Sequence, residues 1–446
     1  MSADGLNIGL LERLLDANPR DGGAWSTLGV LLRRAGKNEA AIACHRRGLE
    51  YTPDHAGIWS NLGNVLLEVG RFDEAVAAHA EACRLGPDTP SSLFNALIAL
   101  RKTGRFGETL VALERALALE PGNPNLLWER ALTRLQIGDY ENGFKDYEIR
   151  RQIPAYRNRP VPGTPWEGGP LRGRTLFLST EQGFGDTLMA ARYLPRLRDM
   201  LKDGGGRILM ECHPELRRLL ANQPVDEFVP AGSPFPAYDV QASLMSLPLL
   251  LGTTSPAAVP PPLPPAIPAA ARDKAARLVG PAEPGTLRVG IVWSGRVTFA
   301  DNSRRATSLA RFLRLAEVPG VRLFSLQKGP PEEQLADLGT GRLVQPLGPQ
   351  LEDFADTAAV LERLDLVIMT DSSVAHLAGS LGRPVWNLVQ YVPYWIYGFE
   401  NGLFGDSTPW YPSMRLFRQG HDQDWEPVFA RVGEALAALI RTQARP

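Results

Sequence analysis

The residues best suited to chemistry gather in a few short runs, each where an apolar stretch gives way to small polar residues. Leu364-Asp365-Leu366-Val367-Ile368-Met369 leads through Thr370-Asp371-Ser372-Ser373 into Val374-Ala375-His376-Leu377-Ala378-Gly379, which reads as a strand, a turn and the start of a helix. Such a turn offers free N–H groups and the positive end of a helix dipole at the carboxyl end of a buried strand, a combination that favours a phosphate or another anion. Asp371, Ser372, Ser373 and His376 face that point. An ordinary N-cap and a satisfied helix histidine fit the same residues, and this run alone leaves both readings open.

The pattern recurs. Arg174-Thr175-Leu176-Phe177-Leu178-Ser179-Thr180 reads as a buried strand, followed by Glu181-Gln182-Gly183-Phe184-Gly185-Asp186-Thr187 and an amphipathic helix from Leu188 to Leu201. Gly183 and Gly185 let the backbone approach a ligand, acceptor included, and Asp186 opens the helix towards the same space, as a functional carboxylate or as a plain cap. Further on, the strand Leu287–Val292 runs into Trp293-Ser294-Gly295, and the strand Val321–Leu326 into Gln327-Lys328-Gly329. Ligands of parallel sheets bind at the carboxyl ends of strands, so Ser294, Gln327, Lys328, Asp371, Ser372 and Ser373 should converge. Lys328, in a chain whose other lysines are Lys37, Lys102, Lys145, Lys202 and Lys274, can with Arg305 offset diphosphate charge; Arg305 also suits a solvated surface. No Asp-x-Asp pair stands at a strand end, so a metal is not required.

Asp371 through Trp386 resembles the donor-site signature of the heptosyltransferase-like GT-B glycosyltransferases. It is most similar to the bacterial branch fused to tetratricopeptide repeats, which includes protein O-glycosyltransferases and flagellin-modifying enzymes. Ser372 stands where the family usually has Thr, and the hydroxyl is kept. Gly185-Asp186 resembles the family's first motif, and Asp406 to Gln419 its closing segment. Ala306 and Ser308 depart from a usual Ser and Pro. The resemblance extends from residue 20 to about residue 440. It implies two Rossmann-like lobes, Asp186 as general base, and a nucleotide sugar as co-substrate with no permanently bound cofactor; were Asp186 dispensable, Glu181 would be the next candidate. It further implies inversion at the anomeric carbon and a last helix that crosses back to the first lobe; together with the convergence of strand ends, the expected donor site is Ser294, Arg305, Gln327, Lys328, Asp371, Ser372, Ser373 and His376. Two rivals stand beside a protein acceptor: a lipopolysaccharide or other glycan acceptor, and a non-catalytic scaffold with a decayed transferase domain.

The elements ahead of these motifs repeat. Gly36, Gly70, Gly104 and Gly138, and likewise Pro19, Pro53, Pro87 and Pro121, recur at the tetratricopeptide period of about 34. Trp25-Ser26-Thr27-Leu28-Gly29 returns as Trp59-Ser60-Asn61-Leu62-Gly63, and Ala41 as Ala75. Each unit is then a pair of antiparallel helices with the Gly at the turn between them and the Pro closing the second. Leu93 and Leu127 replace the Trp in later units, and Leu6 to Asn18 is a second helix alone. The concave groove would carry Asn61, Asn64 and Asn95, amides able to bind an extended peptide of an acceptor protein or simply to face water.

The expected architecture is an α-solenoid with an α/β pair of parallel-sheet lobes after it. It divides into a solenoid over 1–155, ending in aromatics (Tyr140, Phe144, Tyr147) that dock on the catalytic half, a linker over 156–171, a first lobe over 172–268, a second lobe over 286–424 and a final helix over 425–446. The Pro-dense stretch Ser255 to Pro268 is an extended connector. With 48 basic and 49 acidic residues there is no electrostatic footprint for nucleic acid. Cys44, Cys83 and Cys212 suit reduced thiols, no signal pattern or membrane-length apolar run is present, and the expected compartment is the cytoplasm.

Overall fold

The structure is a computed structural model that describes residues 3–154, 159–202, 204–299, 302–398 and 405–443. It divides into two compact units, Met1–Thr133 and Arg134–Pro446. Among the described residues no helix is long and apolar enough to cross a membrane.

The first unit is made of the expected helix pairs. A lone α1 (Ala3–Ala17) is followed by α2 (Gly22–Arg34) with α3 (Asn38–Tyr51), α4 (Ala56–Glu68) with α5 (Phe72–Leu85), and α6 (Pro90–Lys102) with α7 (Phe106–Leu119). Gly36, Gly70 and Gly104 turn between the members of each pair at φ of +73°, +80° and +71°, a backbone region that side chains disfavour. The repeated Trp has a polar duty: Trp25 Nε1 donates to the Pro19 carbonyl at 2.9 Å and Trp59 Nε1 to that of Pro53 at 2.7 Å. Ala41 and Ala75 are fully buried. The repeated Gly makes room for a histidine, since a Cβ on Gly29 would lie 2.7 Å from the His45 ring and one on Gly63 2.5 Å from that of His79. Asn61, Asn64 and Asn95 are half-buried on the first helices of their pairs. Asn61 Nδ2 donates to Ser26 Oγ on the preceding first helix at 3.3 Å, so this amide braces neighbouring repeats.

The division after Thr133 falls earlier than the repeat frame suggests. The next helix, α8 (Pro124–Gln136), runs across it, and α9 (Tyr140–Tyr147) lies wholly in the second unit. There Tyr140, Phe144 and Tyr147 pack against Trp395, with ring centroids 6.1, 5.7 and 6.3 Å away. The docking aromatics thus belong to the body on which they dock.

The second unit holds two sheets, and every pairing in them is parallel. The first contains β1 (Thr164–Pro165), β2 (Thr175–Ser179), β3 (Arg207–Cys212), β4 (Glu227–Pro230) and β5 (Val240–Ser243) in the order β1-β5-β2-β3-β4. The second contains β6 (Leu287–Val292), β7 (Val321–Ser325), β8 (Val344–Pro346), β9 (Leu366–Thr370), β10 (Val385–Val389) and β11 (Met414–Arg418) in the order β11-β10-β9-β6-β7-β8. β2, β6 and β9 are buried nearly throughout, because helices cover both faces of a parallel sheet and leave no polar alternation to read. Chain order reverses between β2 and β5 in one sheet and between β6 and β9 in the other, and these are the crevices where such folds bind ligands.

Three expectations on the elements are corrected. The segment read as a linker contributes β1 to the first sheet, and the backbone N–H of Trp166, whose side chain is almost wholly buried, donates to the Gln241 carbonyl at 2.8 Å; residues 156–158 of it lie outside the described residues. The second lobe starts earlier than residue 286, since the helix Ala269–Val279 packs on the helix Phe354–Arg363. The last helix, Glu426–Gln443, does not cross back: Val428, Phe429, Val432 and Leu436 join Val289, Ile291, Trp293 and Phe312 in the core of the second lobe, and Glu426 pairs with Arg311 and Arg314. Its apolar stripe is satisfied on its own lobe.

Candidate functional site

The two crevices face one another. β2 ends in a loop that Glu211, on β3, holds by accepting the Thr180 N–H at 3.1 Å, and the helix Phe184–Ala190 starts at Gly183. Asp186 is in its first turn. One carboxylate oxygen accepts the Gly183 N–H at 3.0 Å, which is the cap geometry, and the other accepts the Tyr394 hydroxyl from the second lobe at 3.1 Å. Asp186 is partly exposed as a residue, while protein crowds its carboxyl. Burial, the largest influence, pushes it up to about 6; the hydrogen bonds from Tyr394 and Gly183 pull the other way and the Asp371 carboxylate pushes it further up. A carboxylate of that pKa is suited to accept a proton near neutral pH.

Glu181 is engaged elsewhere. Its carboxylate pairs with Arg150 at 2.5 Å, and Arg150, wholly buried, also binds Glu148 and Ser246. The ion pair anchors the loop.

Opposite Asp186, β9 delivers Asp371 and the helix Ser373–Ser380. Ser372 is the N-cap in an extended conformation, its Oγ 3.4 Å from the Val374 N–H, and Ser372, Ser373 and Val374 are partly exposed at the helix N-terminus. Asp371 is nearly buried; it accepts the Tyr397 hydroxyl at 2.8 Å and faces Arg305 at 3.4 Å. The Arg305 guanidinium lies 4.3 Å from the centroid of the Phe299 ring and beside Gly295. Asp371, Ser372, Ser373 and Arg305 therefore surround one point at the switch of the second sheet.

Other predicted residues lie close by with different duties. Gln327 is buried and its amide is saturated: Oε1 accepts the Trp293 and Ser294 N–H groups at 3.1 and 3.0 Å, and Nε2 donates to the Ser294 and Lys328 carbonyls at 3.1 and 2.9 Å. It braces the loop after β6. Ser294, also buried, accepts from Asn302 Nδ2 at 3.1 Å and completes that brace. Lys328 is exposed, and its ammonium donates to the Leu351 carbonyl.

His376 and Gly185 meet each other. A Cβ on Gly185 would lie 2.7 Å from the His376 ring, so the close approach that this glycine permits is to an imidazole of the other lobe. His376 Nδ1 is 3.0 Å from the Tyr411 hydroxyl. Burial, the largest influence, brings the His376 pKa down to about 4, against the pull of Asp371. The ring is neutral at physiological pH and offers no charge to a phosphate. Gly183, exposed, has its N–H engaged by Asp186.

Sequence reasoning missed the tyrosines of this site, although their spacing is a signal. Tyr394 and Tyr397 are three residues apart, and Trp395–Tyr397 forms a turn of 3-10 helix, which brings residues at that spacing onto one side. Arg192 left no such signal. It is buried, donates to the Trp410 carbonyl at 2.7 Å and lies 4.8 Å from the Tyr411 ring, tying the lobes beside the site.

Known proteins share parts of this chain. The tetratricopeptide-repeat family matches residues 8–44 and 27–90. Protein FlbA of Caulobacter vibrioides is 30% identical over 336 residues, which make up 69% of this chain and 54% of FlbA. The chain thus spans about half the length of that relative. Among solved structures, a glycosyl transferase family 9 protein from Veillonella parvula aligns over its full length with 61% of this chain, at 13% identity and a TM-score of 0.47. YrrB, a TPR protein with an unusual peptide-binding site, aligns over 75% of its length with 32% of this chain, at 18% identity and a TM-score of 0.30.

Proposed function

We propose that this chain, tetratricopeptide repeats joined to a heptosyltransferase-like two-lobed domain, transfers a sugar from a nucleotide sugar to a hydroxyl of a protein, flagellin being one candidate. The observation that carries the reading is Asp186. It is a crowded carboxylate with a pKa of about 6 at the switch of the first sheet, hydrogen-bonded to Tyr394 of the second lobe and carried on a helix that packs against the helix Ser373–Ser380 at the switch of the second. In this mechanism Asp186 accepts the proton of the acceptor hydroxyl as oxygen attacks the anomeric carbon. The departing diphosphate lies at the N-terminus of the helix Ser373–Ser380, where the Ser372 and Ser373 hydroxyls and backbone N–H groups receive it. Arg305, and Lys328 once it leaves the Leu351 carbonyl, supply positive charge in place of a metal. Inversion at the anomeric carbon is what the resemblance to the GT-B family implies, and Glu181, bound to Arg150, takes no part in the step. The repeats would present the acceptor to the site, Asn64 and Asn95 being half-exposed amides on first helices.

The test pairs binding with turnover. One nucleotide class among UDP, ADP, GDP, TDP and CMP should raise the melting temperature, because a ligand of the native state alone stabilises by mass action. Arg305→Ala should blunt that rise. Asp186→Ala should keep it and lower transfer by about 10² to 10⁴. Melting temperatures unmoved by any nucleotide would refute a transferase and leave the scaffold reading. An Asp186→Ala protein with undiminished transfer would remove this carboxylate from the chemistry.

A further inference from the structure

We propose that the turn Tyr394–Tyr397 is the aligning element of the site: Tyr394 orients the carboxylate of Asp186 on the first lobe and Tyr397 that of Asp371 on the second, so that the base is set only when the two lobes meet. The inference rests on the transferase reading and names positioning residues that it does not require. Two hydroxyls from one turn reach two carboxylates that stand at the switch points of two different sheets, at 3.1 and 2.8 Å.

The turn is built as a rigid mount. Trp395, between the tyrosines, is almost wholly buried and meets Trp410 edge-on at 5.3 Å, besides the three aromatics of α9. The Ile396 carbonyl accepts from Thr408 Oγ1 at 2.6 Å, and the Gly398 carbonyl from Gln136 Nε2 at 2.5 Å and from Arg418 at 3.3 Å. The turn is therefore fastened through its backbone carbonyls as well as through Trp395, independently of either hydroxyl. Burial holds both phenols well above their ordinary pKa, so each remains a donor throughout the range in which Asp186 titrates. Tyr394, Asp371, Tyr147 and Tyr411 face Asp186 from the other elements, with the Gly183 N–H from its own helix. Of those side chains, Tyr394 makes the hydrogen bond that favours the ionised form.

A hydrogen bond that selects the carboxylate lowers its pKa, and losing it raises the pKa. Tyr394→Phe should move the acid limb of kcat/KM upward by about one unit, which is about tenfold in rate on the acid side. Tyr397→Phe should leave that limb in place and raise the KM for the nucleotide sugar about tenfold. Site-specific 3-fluorotyrosine at position 394, a stronger donor of unchanged shape, should move the limb downward and serves if the Phe variant fails to fold. A carbon-13 NMR titration of the Asp186 carboxyl in the ligand-free protein, assigned by its loss in Asp186→Asn, should show the same shifts without turnover. An unmoved carboxyl, or two Phe variants that lose activity alike at every pH, would overturn the alignment. Wild-type protein with no turnover of any nucleotide sugar would instead refute the transferase reading, and the carboxyl titration would still decide the role of Tyr394.

Discussion

Replacing Gly185 by Ala should slow the enzyme without unfolding it. The new Cβ would sit 2.7 Å from His376 Cδ2 and 3.1 Å from Nε2, where ordinary carbon contacts are about 3.5 to 4.0 Å. The ring has little room to retreat. It is tied to Tyr411 by a 3.0 Å contact, and Tyr411 lies so close to Gly379 that a Cβ there would come within 2.5 Å of its ring. Alanine is the better helix former by about 0.5–1 kcal/mol, but overpacking costs about 1–3 kcal/mol, so the clash prevails. It falls on the contact between the lobes, which can part while each lobe keeps its core. A penalty of about 1–3 kcal/mol on the closed arrangement corresponds to a loss of about 5- to 150-fold in kcat/KM. Steady-state kinetics with the nucleotide sugar, together with melting curves, measure it. Adding His376→Ala should restore most of the lost rate, because the double mutant removes the atoms that collide. A Gly185→Ala enzyme of wild-type kcat/KM, or a double mutant no better than the single one, would refute the argument.

Burial of polar groups leads to two more expected outcomes. His45 and His79 are held down to about 4 by burial. The native state therefore binds fewer protons than the unfolded chain between about pH 4 and 6.5, and the stability they allow is full above 6.5 and is lost as pH falls through that window; circular dichroism melts of the full chain between pH 7 and 4.5 should show it, and His79→Gln should flatten the dependence. Gln327→Ala removes the acceptor of two buried N–H groups, each costing about 1–3 kcal/mol when unsatisfied. Denaturant titration should show destabilisation of at least that size, and the nucleotide-induced thermal shift should shrink because the loop beside Arg305 loses its brace.

The repeats were readable from sequence because their contacts are local and recur: Trp25 bonds a carbonyl six residues away, and each turn glycine answers a backbone demand that no neighbour alters. The strand, turn and helix around Asp186 and around Asp371 were equally legible, since strands buried on both faces must be continuous apolar runs and the chain must turn in small polar residues between them. The duties of the side chains were not. Gln327 could bind a ligand or brace a loop, and the arrangement of β6 and β7 made it a brace. His376 could hold a ligand or pack as a helix histidine, and the lobe packed over it buries it and keeps it neutral. The last helix had an apolar stripe suited to either lobe, and the surface left open on the second lobe took it. Tyr394 reaches a carboxylate 208 residues away in the chain. A sequence pattern records what each residue can offer, whereas a hydrogen bond across such a distance exists only once two sheets and a turn have been set in place.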